Sequence, residues 1–183
     1  MRQKKVNRKF WIGAAFLLGC FFMTQSAWAL DAPHSRKGPF TGVGFIGGGG
    51  LIFADDTVGI GDLGLNLQLG LGASENFTVS LNLDNRLHIG SHVVQGMIVP
   101  GPRFTVFVAK NIYLNAGVGL ALGLKVEPDN DNAVGMNVNV GGGYERFVNT
   151  NLAAYVGLSG DYYFLNDADD VLAFTMVLGI RYY

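Results

Sequence analysis

Cysteine is almost absent: the 183-residue chain has one, Cys20, and only two tryptophans, Trp11 and Trp28, and all three precede Leu30. Once the first 29 residues are removed, the remainder has no means of forming a disulfide, a thiolate metal site or a cysteine nucleophile. Charged residues make up only 15% of the chain. Basic charge is the scarcer kind, because 5 of the 13 Lys and Arg lie before Leu30 while all 14 Asp and Glu lie after it, leaving 8 − 14 = −6 on the later part. That excludes the basic footprint of a nucleic-acid-binding protein.

The basic residues that open the chain have a purpose of their own. Arg2, Lys4, Lys5, Arg8 and Lys9 precede an apolar run from Phe10 to Met23, and Ala27-Trp28-Ala29 follows. A basic region, a short apolar stretch and small residues at a cut make up a secretory signal peptide, expected over 1–29 with cleavage after Ala29. The run is too short for a membrane-spanning helix of about 20 residues. Leu17-Leu18-Gly19 before Cys20 resembles a lipidation box, but that cut would fall inside the apolar run. Residues 30–39, with Pro33, Gly38 and Pro39, read as a short periplasmic tail. Residues 40–183 have the size of one domain.

What those residues do have is a period of two. From Ile112 to Val126 the even positions are apolar and the odd ones mostly small or polar. Such alternation gives a β-strand two unlike faces, and this run is far longer than a soluble strand of about 5–6 residues. The same pattern predicts strands over 40–53, 63–72, 77–89, 96–108, 134–145, 152–164 and 171–183. The second of these is the clearest, with Leu63, Leu65, Leu67, Leu69 and Leu71 on one face and Gly64, Asn66, Gln68 and Gly70 opposite. Pro100 and Pro102 remove ladder hydrogen bonds from the fourth strand. Turn-rich acidic stretches at 55–62, 127–133 and 165–170 alternate with short turns, the asymmetry expected of external loops and periplasmic turns.

Eight alternating strands fit a soluble barrel that is apolar inside or a membrane barrel that is apolar outside. The second face decides. A soluble exterior needs charge, whereas this face is mainly Gly, Asn, Ser, Thr and Tyr, which suits a narrow polar lumen. The expected fold is an all-β, eight-stranded antiparallel up-and-down transmembrane barrel with both termini periplasmic, solvated by outer-membrane lipid. Phe53, Phe77, Tyr144, Tyr162, Phe164 and Tyr182 are placed to form interfacial girdles.

These features, with the closing Leu178-Gly179-Ile180-Arg181-Tyr182-Tyr183, resemble the small eight-stranded outer-membrane barrels of the OmpA/OmpX-like type. The resemblance implies that the barrel-assembly machinery reads the C-terminal strand. Here Tyr182, and not the terminal Tyr183, is in phase with the apolar face.

The inward face carries Asp84, Arg86, Arg103, Lys125, Glu145, Asp161 and Arg181, which must pair, meet water or sit at a rim. Asp84 is expected to meet Arg103, with Gly117 and Gly119 giving the arginine room, and Glu145 to meet Arg181. The set serves either as a network fixing the barrel or as a conduction path for a small solute. Lumenal glycines make room for Tyr113, Tyr155, Tyr163 and the arginines. Asp55, Asp56, Asp62, Glu127, Asp129, Asp131, Asp167, Asp169 and Asp170 concentrate acid at one end, as solvated loops or as oxygen ligands for Ca²⁺ or Mg²⁺ shared with lipopolysaccharide phosphates. His88, Ser91 and His92, with Asp84 below, are the residues to check for a lipid A-modifying hydrolase. No catalytic spacing is present, no cofactor is expected, and a monomeric, non-catalytic envelope barrel is the leading expectation.

Overall fold

The computed structural model describes residues 35–53, 57–91, 94–127, 132–166 and 169–183, the side chains of 125–127 and 132 excepted. The expected signal peptide, Cys20 and the start of the tail lie outside the described residues, as do Asp55, Asp56, His92, Asp129, Asp131 and Asp167. Eight strands follow one another: β1 (Gly38–Phe53), β2 (Thr57–Ser74), β3 (Phe77–Gly90), β4 (Val94–Phe107), β5 (Ile112–Glu127), β6 (Asn132–Phe147), β7 (Leu152–Asn166) and β8 (Asp170–Tyr182). Each pairs antiparallel with the next, and β8 returns to β1 from Thr41↔Tyr182 to Phe53↔Asp170, closing a barrel in simple meander order.

Alternation sets the two faces. On β2, Leu63, Leu65, Leu67, Leu69 and Leu71 are 42–63% exposed, whereas Asp62, Asn66 and Gln68 are at most 3% exposed. A continuous exposed wall of large apolar side chains is far beyond the patch a water-soluble monomer carries, and it matches a lipid-facing band. The strands, 13 to 18 residues long, exceed the roughly 9–11 tilted residues that cross the hydrocarbon.

The expected difference between long and short connections is absent. β2 begins at Thr57, so most of the acidic stretch at 55–62 is strand, and successive strands are separated by only two to four residues at both ends. Gly59, Gly61 and Asp62 read as turn residues by type. In the barrel their backbones join the ladder at Gly59↔Leu51, Gly61↔Gly49 and Asp62↔Gly48. The ladder needs no side chain, and the Asp62 carboxylate turns inside, where its Oδ2 pairs with Arg86.

The lumen is also less polar than the sequence pattern suggests. β1 turns Phe40, Ile46 and Ile52 inward. Ile52, Ile60, Met97, Val99, Leu165 and Val171 pack with Tyr163 and small alanines into one apolar cluster, and Ile46, Phe107, Tyr113, Tyr155 and Val177 form a second. The first lies toward the end carrying the β1–β2 and β7–β8 connections.

Outward aromatics gather at both ends. Tyr162 packs on Phe164 at 4.5 Å and on Phe53 at 6.5 Å. At the opposite end Asn111 Nδ2 donates to Tyr144 Oη and Asn151 Nδ2 donates to Tyr182 Oη.

Candidate functional site

The inward parity of β2, β3, β4, β6, β7 and β8 brings four carboxylates and three guanidinium groups into the lumen, and the segment before β1 adds a fourth guanidinium, that of Arg36. Asp62 (β2), Asp84 and Arg86 (β3), Arg103 (β4) and Asp161 (β7) form the upper cluster. Arg86 Nη1 lies 3.0 Å from Asp62 Oδ2, and its Nη2 lies 2.9 Å from Asp161 Oδ2 and 3.4 Å from Asp84 Oδ2. Arg103 Nη2 reaches the same Asp84 oxygen at 3.1 Å. One guanidinium thus joins three carboxylates from three strands, including a pair on strands that are not neighbours. His88 Nε2 stands 3.5 Å from Asp62 Oδ2, with its ring edge-on to Tyr163 at 5.6 Å between centroids.

The lower cluster is built on Glu145 (β6). Arg181 Nη1 approaches Oε2 at 2.6 Å, and Arg36 Nε, from the segment before β1, approaches Oε1 at 2.8 Å. The terminal Tyr183 Oη donates to the same carboxylate at 3.1 and 3.2 Å. Arg181 is also stacked over the ring of Tyr155 at 4.6 Å, and Arg36 over that of Phe107 at 3.8 Å. Such stacking holds a desolvated guanidinium with little loss of attraction.

Amides join the two clusters. Asn66 Nδ2 donates to Asp84, Gln68 Nε2 donates to Asn66, and Arg181 Nε donates to Gln68 Oε1 at 2.8 Å. A single hydrogen-bonded chain therefore runs Asp62, Arg86, Asp84, Asn66, Gln68, Arg181, Glu145, Arg36. Charge along it balances, three acids against three arginines, and the branches to Asp161 and Arg103 add one of each. Placing ions in a poorly solvated lumen costs several kcal/mol each unless each meets an opposite charge, and here every one does.

Two aspects of the arrangement differ from the sequence reading. Gly117 and Gly119 do not make room for Arg103. A Cβ at Gly117 would meet Asn139 Nδ2 at 2.9 Å, and one at Gly119 would meet Val99 Cγ1 at 2.8 Å. Glycines do make room for the tyrosines: Gly44 and Gly179 face the Tyr155 hydroxyl, and Gly143 and Gly157 face that of Tyr113. Lys125 is described only through its backbone, opposite Gln95.

The acidic end assembles no carboxylate site among the described residues. Asp62 belongs to the lumen and not to a loop. Asp170 accepts the Tyr162 hydroxyl at Oδ2 and the Leu165 amide at Oδ1, Asp169 is exposed, and Glu127 is described only through its backbone. Among the described residues, no three His, Cys, Asp or Glu side chains gather as a metal site. His88 is fully buried against Asp62 while Ser91 is exposed, and Asp84 is engaged by Arg103 and Asn66, so these three residues do not come together as a nucleophile and base.

Sequence reasoning missed Arg36 and misplaced Asp62. The signal for Asp62 was its parity with Asn66 and Gln68. Arg36 precedes the first alternating strand, so no periodicity marks it. Its segment is fixed at the barrel mouth by Glu75, in the β2–β3 turn: Ser35 Oγ donates to Oε1 at 2.7 Å and the Arg36 amide to Oε2 at 3.1 Å. These bonds, Ser35 first, hold the Glu75 carboxyl below the usual carboxylate range. A depressed folded-state pKa contributes stability that is present above the unfolded value and lost as pH falls through the folded one. Acidification below about pH 4 should therefore loosen the segment, read as faster proteolysis near Ser35. Glu75→Gln should show the looser behaviour at all pH values, and a pH-independent wild type would refute the anchor.

The sequence matches no known family profile, and no curated protein resembles it closely enough to register. Solved structures do. Neisserial surface protein A (NspA) superposes with a TM-score of 0.63 at 12% identity, over 80% of this chain and 99% of that one. Ail, the attachment invasion locus protein of Yersinia pestis, gives a TM-score of 0.53 at 12% identity, again over 80% and 99%. The shared property is the fold: an all-β, eight-stranded, closed antiparallel barrel of the outer-membrane kind.

Proposed function

We propose that this chain is a monomeric, non-catalytic outer-membrane barrel that contributes to envelope structure or surface interactions. In this reading it is exported by a signal peptide cleaved after Ala29, both termini are periplasmic, the apolar wall meets lipid and lipopolysaccharide, and the assembly machinery takes the C-terminal strand. The observation that carries the proposal is the charge-balanced chain of side chains from Asp62 to Arg36, which occupies the lumen with mutually paired groups. An eight-stranded barrel is just wide enough for side chains to fill it, and paired charges leave no fixed excess to draw an ion through. The likeness to NspA and Ail supports the membrane address through the fold.

The protein should therefore migrate heat-modifiably from the outer-membrane fraction and give no steady conductance in planar bilayers. Reproducible single-channel steps would replace the structural reading with that of a small-solute channel. Lipid A of altered mass after overexpression would replace it with an enzyme.

A further inference from the structure

One seam of the wall is unlike the other seven. Between β4 and β5 the ladder runs to Ile98↔Leu122 and resumes at Arg103↔Gly117 in the same register, leaving four residues of β4 between. In that register Pro100 stands opposite Leu120, and Pro102 opposite Val118. On the other side of β4 the ladder with β3 is unbroken through Leu83↔Pro100 and Leu81↔Pro102. The even-numbered backbone groups of β4 face β5, as shown at its end by the Val108 amide donating to the Ile112 carbonyl. The two prolines thus omit their N–H groups on the β5 side, and the Val118 and Leu120 carbonyls receive no donor from β4. At lipid depth such acceptors cost several kcal/mol if nothing else reaches them.

Behind the seam is a small cavity of ≈ 10 Å³, lined by Gly101, Gly119, Asp84, Arg103 and Asn139 among others. By that measure it holds about one water-sized group. Asn139 is 6% exposed, and its Oδ1 has no hydrogen-bond partner. The Val118 carbonyl and the buried Asn139 amide oxygen, both acceptors, therefore lie at one place, with the Leu120 carbonyl two residues along β5. On the outer side Ile98, Val118, Leu120 and Leu122 are exposed on the lipid-facing wall.

We propose that the β4–β5 seam is a lateral binding site for a single O–H donor, taken from lumenal water or from the hydroxyl of a small alcohol entering sideways from the membrane. Gly101 places no Cβ over the Val118 carbonyl, where one would lie 2.0 Å from the oxygen, and the prolines keep the ladder from closing over it. The membrane source rests on the outer-membrane reading; the water source does not.

The test is amide-resolved NMR on protein extracted from the outer membrane in detergent, with heat-modifiable migration confirming the barrel beforehand. Water cross-peaks at Gly101, Val118, Gly119 and Leu120 identify water as the donor. Shifts of the same amides on adding 1-hexanol, but not hexane, identify the alcohol. Replacing both prolines, Pro100→Val with Pro102→Val, restores two donors and should abolish either signal while slowing exchange of the 118–121 amides about tenfold. Asn139→Val, which leaves the prolines in place, should weaken the signal without slowing exchange. Absence of both signals in the wild type, or their persistence in the double-proline variant, overturns the proposal. Failure of heat-modifiable migration instead rejects the membrane reading.

Discussion

Arg86→Leu should destabilise the barrel more than any other single change to a lumenal charge. Removing one partner of a buried ion pair costs about 3–5 kcal/mol because the remaining charge is stranded, and Arg86 holds Asp62 and Asp161 directly and shares Asp84 with Arg103. In urea titrations of the detergent-extracted protein, followed by heat-modifiable migration, the midpoint should fall sharply or the folded band should vanish. Adding Asp62→Asn and Asp161→Asn to Arg86→Leu should recover much of the loss, because the charges that need a partner are then gone. That recovery separates the electrostatic account from a packing account, since the two Asn substitutions barely change volume. A midpoint unchanged in Arg86→Leu would mean that water reaches the cluster freely, and the filled-lumen reading would fail with it.

The second large effect is expected at Gly143. A Cβ there would lie 2.1 Å from the Val156 carbonyl oxygen and 2.6 Å from the Tyr113 hydroxyl. The first contact is with backbone, so relief requires moving β7 away from β6 and not merely rotating a side chain. Gly143→Ala should cost about 3 kcal/mol or more, the upper part of the range for overpacking. Gly59→Ala is the control: it is also a strand glycine, but a Cβ there meets nothing within 4 Å. Equal stability of the two variants would show that the close approach of β6 and β7 is not required for closure.

Particular residues show how much of this was legible beforehand. The eight strands, their order and their two faces follow from alternation, since period two maps directly onto inside and outside. The pairing of Asp84 with Arg103 follows from adding hairpin register to parity, and that of Glu145 with Arg181 from their facing inward near the same end of the barrel. Strand ends were less legible. Gly59, Gly61 and Asp62 have turn-forming side chains, yet in a closed ladder the neighbouring strands extend each other and override local preference. The apolar part of the lumen was hidden for another reason. Ile46, Ile52, Val171 and Val177 are as apolar as the lipid-facing residues, so hydrophobicity alone does not distinguish a lumenal cluster from the wall. The role of Gly117 and Gly119 was misread because each glycine lies between two neighbouring strands: the space above Gly117 is taken by Asn139, opposite it on β6, and that above Gly119 by Val99 on β4.

The lumenal chain also bears on how the barrel comes to be assembled. Its bonds join β3 to β7, β2 to β8 and β6 to the segment before β1, so its partners are far apart in sequence, as with Arg86 and Asp161. Slipping any strand by one residue would turn its charged members toward lipid and its leucines inward. An incompletely closed sheet would leave the same ions without counterions in the bilayer. The ion pairs thus act as a proofreading device, in which misregistered or half-built barrels bear the full penalty of bare charge in hydrocarbon and only the finished closure escapes it.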